Sequence, residues 1–224
     1  MRDVFGEAKQ RLAREMDSHS ALPSKLIAAD PWIISSLLQK SIRRGEIEIA
    51  RRAALTFFKL KGSAIWRRLT VIAFEDVGIG SPDAVTMIAA AAYDSAWRKD
   101  QGSDLTIAVH LAGLLAEVPK DRSADYLCDA RDHPMLADFW RAMEKASLES
   151  RLSYVRGQAL GLPQRAVAAL SALGIGSRGD ISRGTGGLEA LLTTFRELEV
   201  PEELVAASGS RLRVPERRSR PWCR

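Results

Sequence analysis

The amino-acid sequence predicts an all-α protein, a bundle of stacked helical hairpins. Three observations carry that expectation. Apolar residues recur at spacings of three and four along most of the 224 residues, signals for helix starts and stops punctuate the chain at short intervals, and the sequence offers no pair of β-branched runs from which to build a sheet. The connections left between helices are short, as in bundles.

Each element follows from its own pattern. Met1–Met16 carries a weak stripe, Val4, Phe5, Ala8, Leu12 and Met16, which reads first as a plain surface helix and, as the alternative, as one that docks on the body or on a partner. Asp30-Pro31 and Ser81-Pro82 each place a capping side chain before proline at the first helical position, so both open helices. Glu46–Leu60 puts Ile47, Ala50, Ala54, Phe57 and Phe58 on one face, with Lys61-Gly62 as its stop. Ala64–Val77 is ambiguous, because LTVIAF also suits a buried parallel strand with Glu75 and Asp76 at its carboxyl end. Ile65, Leu69, Ile72 and Ala73 satisfy a helical stripe, and no second strand is present to pair with it, so the helix is preferred. Further helices are expected near 82–98, 104–117, 122–131, 134–146, 148–160, 163–173, 187–198 and 201–207.

These elements group into a helical domain over 1–146, further helices over 147–207 interrupted by a glycine-rich loop at 174–187, and a basic tail at 208–224 expected to be disordered. With 46% apolar residues the chain can bury a substantial core. No apolar run approaches the roughly 20 residues of a membrane span, and the charged start is unlike a signal peptide, so a cytoplasmic protein is expected. Cys128 and Cys223 lie too far apart in sequence to suggest a disulfide framework or a thiolate metal site. The net charge of +5 belongs to the tail: residues 211–224 hold six arginines and one glutamate, and the rest of the chain is formally neutral.

Catalytic signatures are absent from the sequence. It has no GxxxxGK(S/T) string, no serine nucleophile elbow, no HExxH and no CxxC pair, and no cofactor is expected. His110 lies in an apolar helix and reads as a core histidine. The distinctive stretch is WRRLTVIAFEDVGIGSP at 66–82. Glu75 and Asp76 close a helix there, where their charges oppose its dipole, so they call for compensating partners. A structural ion-pair network of Arg67, Arg68, Glu75 and Asp76 is the preferred reading, with Arg51 and Arg52 as further possible cations. The alternative is a divalent metal held by the two carboxylates, with or without His110, in a nuclease or phosphohydrolase. Arginine pairs at 43–44, 51–52 and 67–68 can form a stripe that meets nucleic acid or, equally, be salt-bridged or solvated in a neutral body full of acids. The residues named for such contact are Arg43, Arg44, Arg51, Arg52, Arg211, Arg213, Arg217, Arg218 and Arg220.

Three runs, SSLLQKSIRRGEIEIARRAALTFFKL, IWRRLTVIAFEDVGIGSPDAV and TIAVHLAGLLAEVPK, together resemble the C-terminal helical region of the RarA/MgsA/WHIP family of clamp-loader-like AAA+ ATPases. The resemblance covers about residues 27–130. Ser41, Arg43 or Arg44 and Gly45 fill the family's first element; Arg67, Arg68, Leu69, Glu75, Asp76, Val77 and Gly78 the second; Pro119 and Lys120 the last. Asp121-Arg122 departs from the family's Ser-Asn, and Gln101–Asp104 from its Gly-x-Pro-Glu turn. The family's ATPase module is not matched, so nucleotide hydrolysis is not implied. The resemblance implies a clamp-loader-collar-like fold, self-association as a dimer or tetramer, and action at replication or repair complexes beside a RarA-like ATPase, a replication protein or DNA. A non-enzymatic adaptor is the function expected; a protein-binding module without a nucleic-acid role is a further alternative.

Overall fold

A computed structural model describes the backbone of residues 3–18, 22–177 and 187–213, and their side chains except at 17–18, 128–131 and 210–213. The protein is all-α, and no strand occurs among the described residues. The chain divides into two compact units, Met1–Ala124 and Asp125–Arg224.

The first unit is built on a hairpin. Helix α1 (Val4–Ser18) precedes α2 (Pro31–Arg44) and α3 (Ile47–Lys61). Asp30 opens α2 as expected, its carboxylate accepting from the backbone N–H of Trp32 at 2.7 Å, with Pro31 in the first turn. Gly45 ends α2 in the left-handed region (φ 75°), which only glycine adopts without strain, and the chain turns at once into α3. The buried faces follow helical spacing: Ile34, Leu38 and Ile42 on α2 and Ala50, Ala54 and Phe57 on α3 are buried, and the two helices pack together.

Helix α4 (Ala64–Ile72) runs into a single π-helical turn at Ala73–Val77 and a 3-10 turn at Gly78–Gly80. The ambiguous LTVIAF run is therefore helical. Helix α5 (Pro82–Tyr93) starts at Pro82 as expected, although Ser81 makes no side-chain capping bond. The single helix expected over 82–98 is broken at Asp94, whose carboxylate accepts from Trp97 N at 2.9 Å and caps the short α6 (Ser95–Asp100). Arg98 of α6 is buried: its guanidinium lies 4.3 Å from the ring centroid of Trp66, pairs with Asp104 at 2.8 Å and donates to the carbonyls of Ala91 and Ala92. Those carbonyls end α5, where no intrahelical N–H remains to donate to them. Helix α7 (Asp104–Glu117) packs on α3 and α2, burying Ile107, Leu111 and Leu115. Helix α1 lies on α5 with Val4, Leu12 and Met16 buried, so it docks on the body and is not the plain surface helix preferred from its weak stripe.

The division between units falls within α8 (Ser123–Arg131), after Ala124 instead of after 146. The reason is packing. Helix α9 (Ala137–Lys145) buries Trp140 and Met143 against α10 (Leu148–Arg156) and α11 (Leu162–Ala172), so it belongs to the second core. Leu152, Val155, Val167 and Ala168 complete that core, with Leu191 of α12 (Gly187–Glu197). Phe139 and Tyr154 meet edge to face, centroids 5.6 Å apart. Arg151 donates to the carbonyls of Met143 (2.9 Å), Glu144 (3.2 Å) and Ser171 (2.8 Å), closing the ends of α9 and α11 together.

Helix α13 (Glu202–Arg213) extends beyond the expected end at 207. Gly209 is buried, and a Cβ there would meet Leu192 at 3.1 Å, so packing carries the helix into the segment expected to be tail. Residues 214–224 lie outside the described residues, as does most of the expected glycine-rich loop, 178–186. No helix among the described residues is long and apolar enough to cross a membrane.

Candidate functional site

The distinctive Glu-Asp-Val-Gly block sits on the π-helical turn that follows α4. A π turn widens the helix by one residue and redirects the side chains it carries. Here it turns Asp76 wholly inward, with no solvent exposure, while Glu75 stays half-buried.

Asp76 is the centre of a polar cluster. Its Oδ1 accepts from Arg43 Nε at 2.6 Å and lies 3.4 Å from Arg122 Nε, and its Oδ2 accepts from Gln39 Nε2 at 2.8 Å. Gln39 Oε1 in turn accepts from Arg68 Nη2 at 2.6 Å, and the same nitrogen reaches the Ser35 carbonyl at 3.4 Å. Gln39 thus relays between Arg68 and Asp76. Burial lowers the pKa of Arg68, opposed by the charges of Glu75 and Asp76 and reinforced by Arg43. Lys120 is lowered by burial as well, with Asp76 opposing; its ammonium donates to the carbonyls of Ala116 (2.9 Å) and Val118 at the end of α7.

Backbone contact holds the block against the segment that carries Lys120 and Arg122. Asp121 N donates to Val77 O at 3.2 Å. Gly78 takes φ 46°, and a Cβ on it would stand 3.1 Å from Asp121 O; a Cβ on Gly80 would stand 2.8 Å from Pro119 O. Both glycines are where two stretches of main chain meet face to face.

The cluster differs from the expected network in its membership. Asp76 and Arg68 belong, and Arg68 acts through Gln39. Arg67 does not, because it lies on the exposed side of α4. Gln39, Arg43 and Arg122 were not named as partners of Asp76; Arg43 and Gln39 stand 33 and 37 residues away in sequence, and no local spacing signals them. Of the arginines named for nucleic-acid contact, Arg43 is engaged by Asp76, Arg51 lies 3.8 Å from Glu48, Arg52 donates to Lys25 O at 3.4 Å, and Arg44 is exposed. The side chains of Arg211 and Arg213, and all of Arg217, Arg218 and Arg220, lie outside the described residues.

The arrangement suits charge compensation better than metal binding. A cation approaching Asp76 Oδ1 meets two guanidinium groups, and Oδ2 is held by an amide donor. His110 stands with Glu15 of α1, 3.5 Å away, instead of with Asp76. Among the described residues no three His, Cys, Asp or Glu side chains gather in a metal-ligating group. No protein-family model matches the chain, and no curated protein matches it.

Proposed function

We propose that this is a non-enzymatic, self-associating adaptor of DNA replication or repair, cytoplasmic, whose helical body makes protein contacts and whose arginine-rich tail meets nucleic acid. The observation that carries the association is apolar surface standing in water at the start of α2. Trp32 is 79% exposed, Ile33 56% and, just before the helix, Leu26 56%. Surface of this kind marks protein contacts. The replication or repair setting is supported by the resemblance of residues 27–130 to the collar-like region of the RarA/MgsA/WHIP family, and a RarA-like ATPase is the partner that it suggests. In this reading the Asp76 cluster is a structural joint that fixes α2, the π turn and the segment after α7 as one rigid platform.

Light scattering over a range of concentrations tests the association: an oligomer is expected, and a monomer at every concentration removes it. For the tail, deletion of 211–224 is expected to weaken DNA binding and to flatten its salt dependence by about one unit of slope per lost phosphate contact. Unchanged affinity and slope would assign the tail no such role.

A second reading, a protein-binding module with no nucleic-acid role, has one observation on its side. Arg43, Arg51 and Arg52 face acceptors of the protein itself. Competition between DNA and a captured RarA-like ATPase distinguishes the two.

A further inference from the structure

We propose that the end of the first unit where α2 begins is a peripheral membrane-binding surface, which inserts apolar side chains into the interface of an anionic bilayer and sets lysines against its headgroups. The inference goes beyond the association reading above, with which it shares the apolar residues Leu26, Trp32 and Ile33.

Several segments meet at this end. Helices α2 and α3 pack together across the tight turn at Gly45, which sets the first turn of α2 beside the last turn of α3. The residues before α2 lie along α3, with Ile27 N donating to Thr56 Oγ1 at 3.0 Å. The start of α4 reaches α2 through Arg68, whose Nη2 stands 3.4 Å from Ser35 O. Exposed on these segments are Leu26, Trp32, Ile33 and, at 47%, Leu60. The exposed cations among them are Lys25, Lys59, Lys61 and Arg67. The one acid within 22–36 and 58–68 is Asp30, which caps α2. The chain without its tail is formally neutral, yet the fold gathers a positive and apolar surface here from two stretches far apart in sequence.

Shape and charge together select a bilayer. A tryptophan that lines a groove is largely covered by the groove's walls, whereas Trp32, 79% exposed, stands clear of the surface with Ile33 beside it. Projecting side chains suit a soft, flat phase that closes around them. Indole and aliphatic groups enter the headgroup boundary, while lysine stems lie along apolar surface and keep their ammonium groups beside lipid phosphates. Stacking on unpaired bases would use Trp32 alone and leave Leu26, Ile33 and Leu60 without a role. A second copy of this chain brings the same cations, so the lysines add an attraction for an anionic bilayer that they do not add for a copy. An apolar patch or a few cations alone hold a protein to a membrane weakly; here the two act at one place.

The test is flotation of the full chain with vesicles, one set of phosphatidylcholine alone and one of phosphatidylcholine and phosphatidylglycerol in equal parts. Binding is expected to the anionic set only, and to weaken as salt screens the headgroups. Trp32→Ser is expected to reduce it about tenfold or more. Lys59→Gln with Lys61→Gln is expected to reduce it roughly fivefold for each cation lost. All three positions are exposed, and an unchanged thermal-unfolding curve shows that each variant is folded. The arginine-rich tail is the rival source of vesicle binding, so a chain lacking 214–224 is compared. Absence of flotation overturns the proposal. Flotation that the Trp32 and lysine variants keep and the shortened chain loses also overturns it, and makes the tail the lipid-binding element. Light scattering on the same variants without vesicles keeps the association reading apart. A Trp32→Ser chain that loses its oligomer but still floats assigns the surface to a second copy and removes the proposal. One that stops floating with its oligomer intact supports the proposal and removes Trp32 from the association.

Discussion

Both units bury an apolar core, and they differ in what they add to it. In the first, a carboxylate with no solvent exposure is placed inside the helical layer and neutralised by an arginine and a glutamine from α2 and a second arginine after α7. In the second, the core of Leu136, Trp140, Met143, Leu152, Val167 and their neighbours is apolar, and Arg151 stays at its edge, bonded to carbonyls that end two helices. A buried ion pair contributes less net stability than apolar packing, because desolvation offsets most of its attraction, but removing one partner is costly. Both units therefore gain from burial, and the first gains fixed geometry besides from its polar cluster.

That contrast can be broken by mutation, beginning with the largest effect. Trp140→Ala is expected to cost the second unit about 3–5 kcal/mol in urea unfolding, since a nearly enclosed indole leaves a cavity that its neighbours only partly fill. Asp76→Ala is expected to cost the first about 3 kcal/mol, by leaving Arg43 and Arg122 facing each other without their carboxylate. A loss under about 1 kcal/mol would show that the cluster is not a structural joint. The contrast is sharpened by adding Arg43→Met to Asp76→Leu. The pair removes both charges, and it is expected to restore part of the stability that Asp76→Ala loses. Arg151→Ala, which frees three carbonyls near the surface, is expected to cost about 1–2 kcal/mol.

The smallest effect is at the rim of α1. Asp94 is held below the usual carboxylate range first by the bond from Lys9 and next by Trp97 N. A depressed carboxylate stabilises the fold above its unfolded pKa and loses that contribution as the pH falls through its folded one. Stability is thus expected to fall slightly between about pH 5 and about pH 2, and Asp94→Asn to remove that part of the slope in a thermal-unfolding series.

The helical fold was legible because it rests on local signals. Asp30-Pro31, the stripe of Ala50, Ala54 and Phe57, and the stop after Lys61 each act within a turn or two. The break at Asp94 was missed, since alanines and a tryptophan continue the helical rhythm across it, and only the Trp97 N bond to Asp94 reveals the new start. The boundary at 124 was missed because it depends on which core Trp140 enters.

The candidate site was half legible. Glu75 and Asp76 at the end of a helix announce unbalanced charge, and that follows from the dipole alone. Which cations answer it does not, because Arg43 and Arg122 come near Asp76 only when α2 and the segment after α7 fold around the π turn. The sequence by itself determined an all-α chain with a need for cations at its most distinctive block. Tertiary structure alone decided that Asp76 turns inward, that Gln39 relays it to Arg68, and that α1 covers α5. The physical reason is range: caps and helical periodicity act over a few residues, whereas compensation of a buried charge depends on groups that only the fold brings within hydrogen-bond distance.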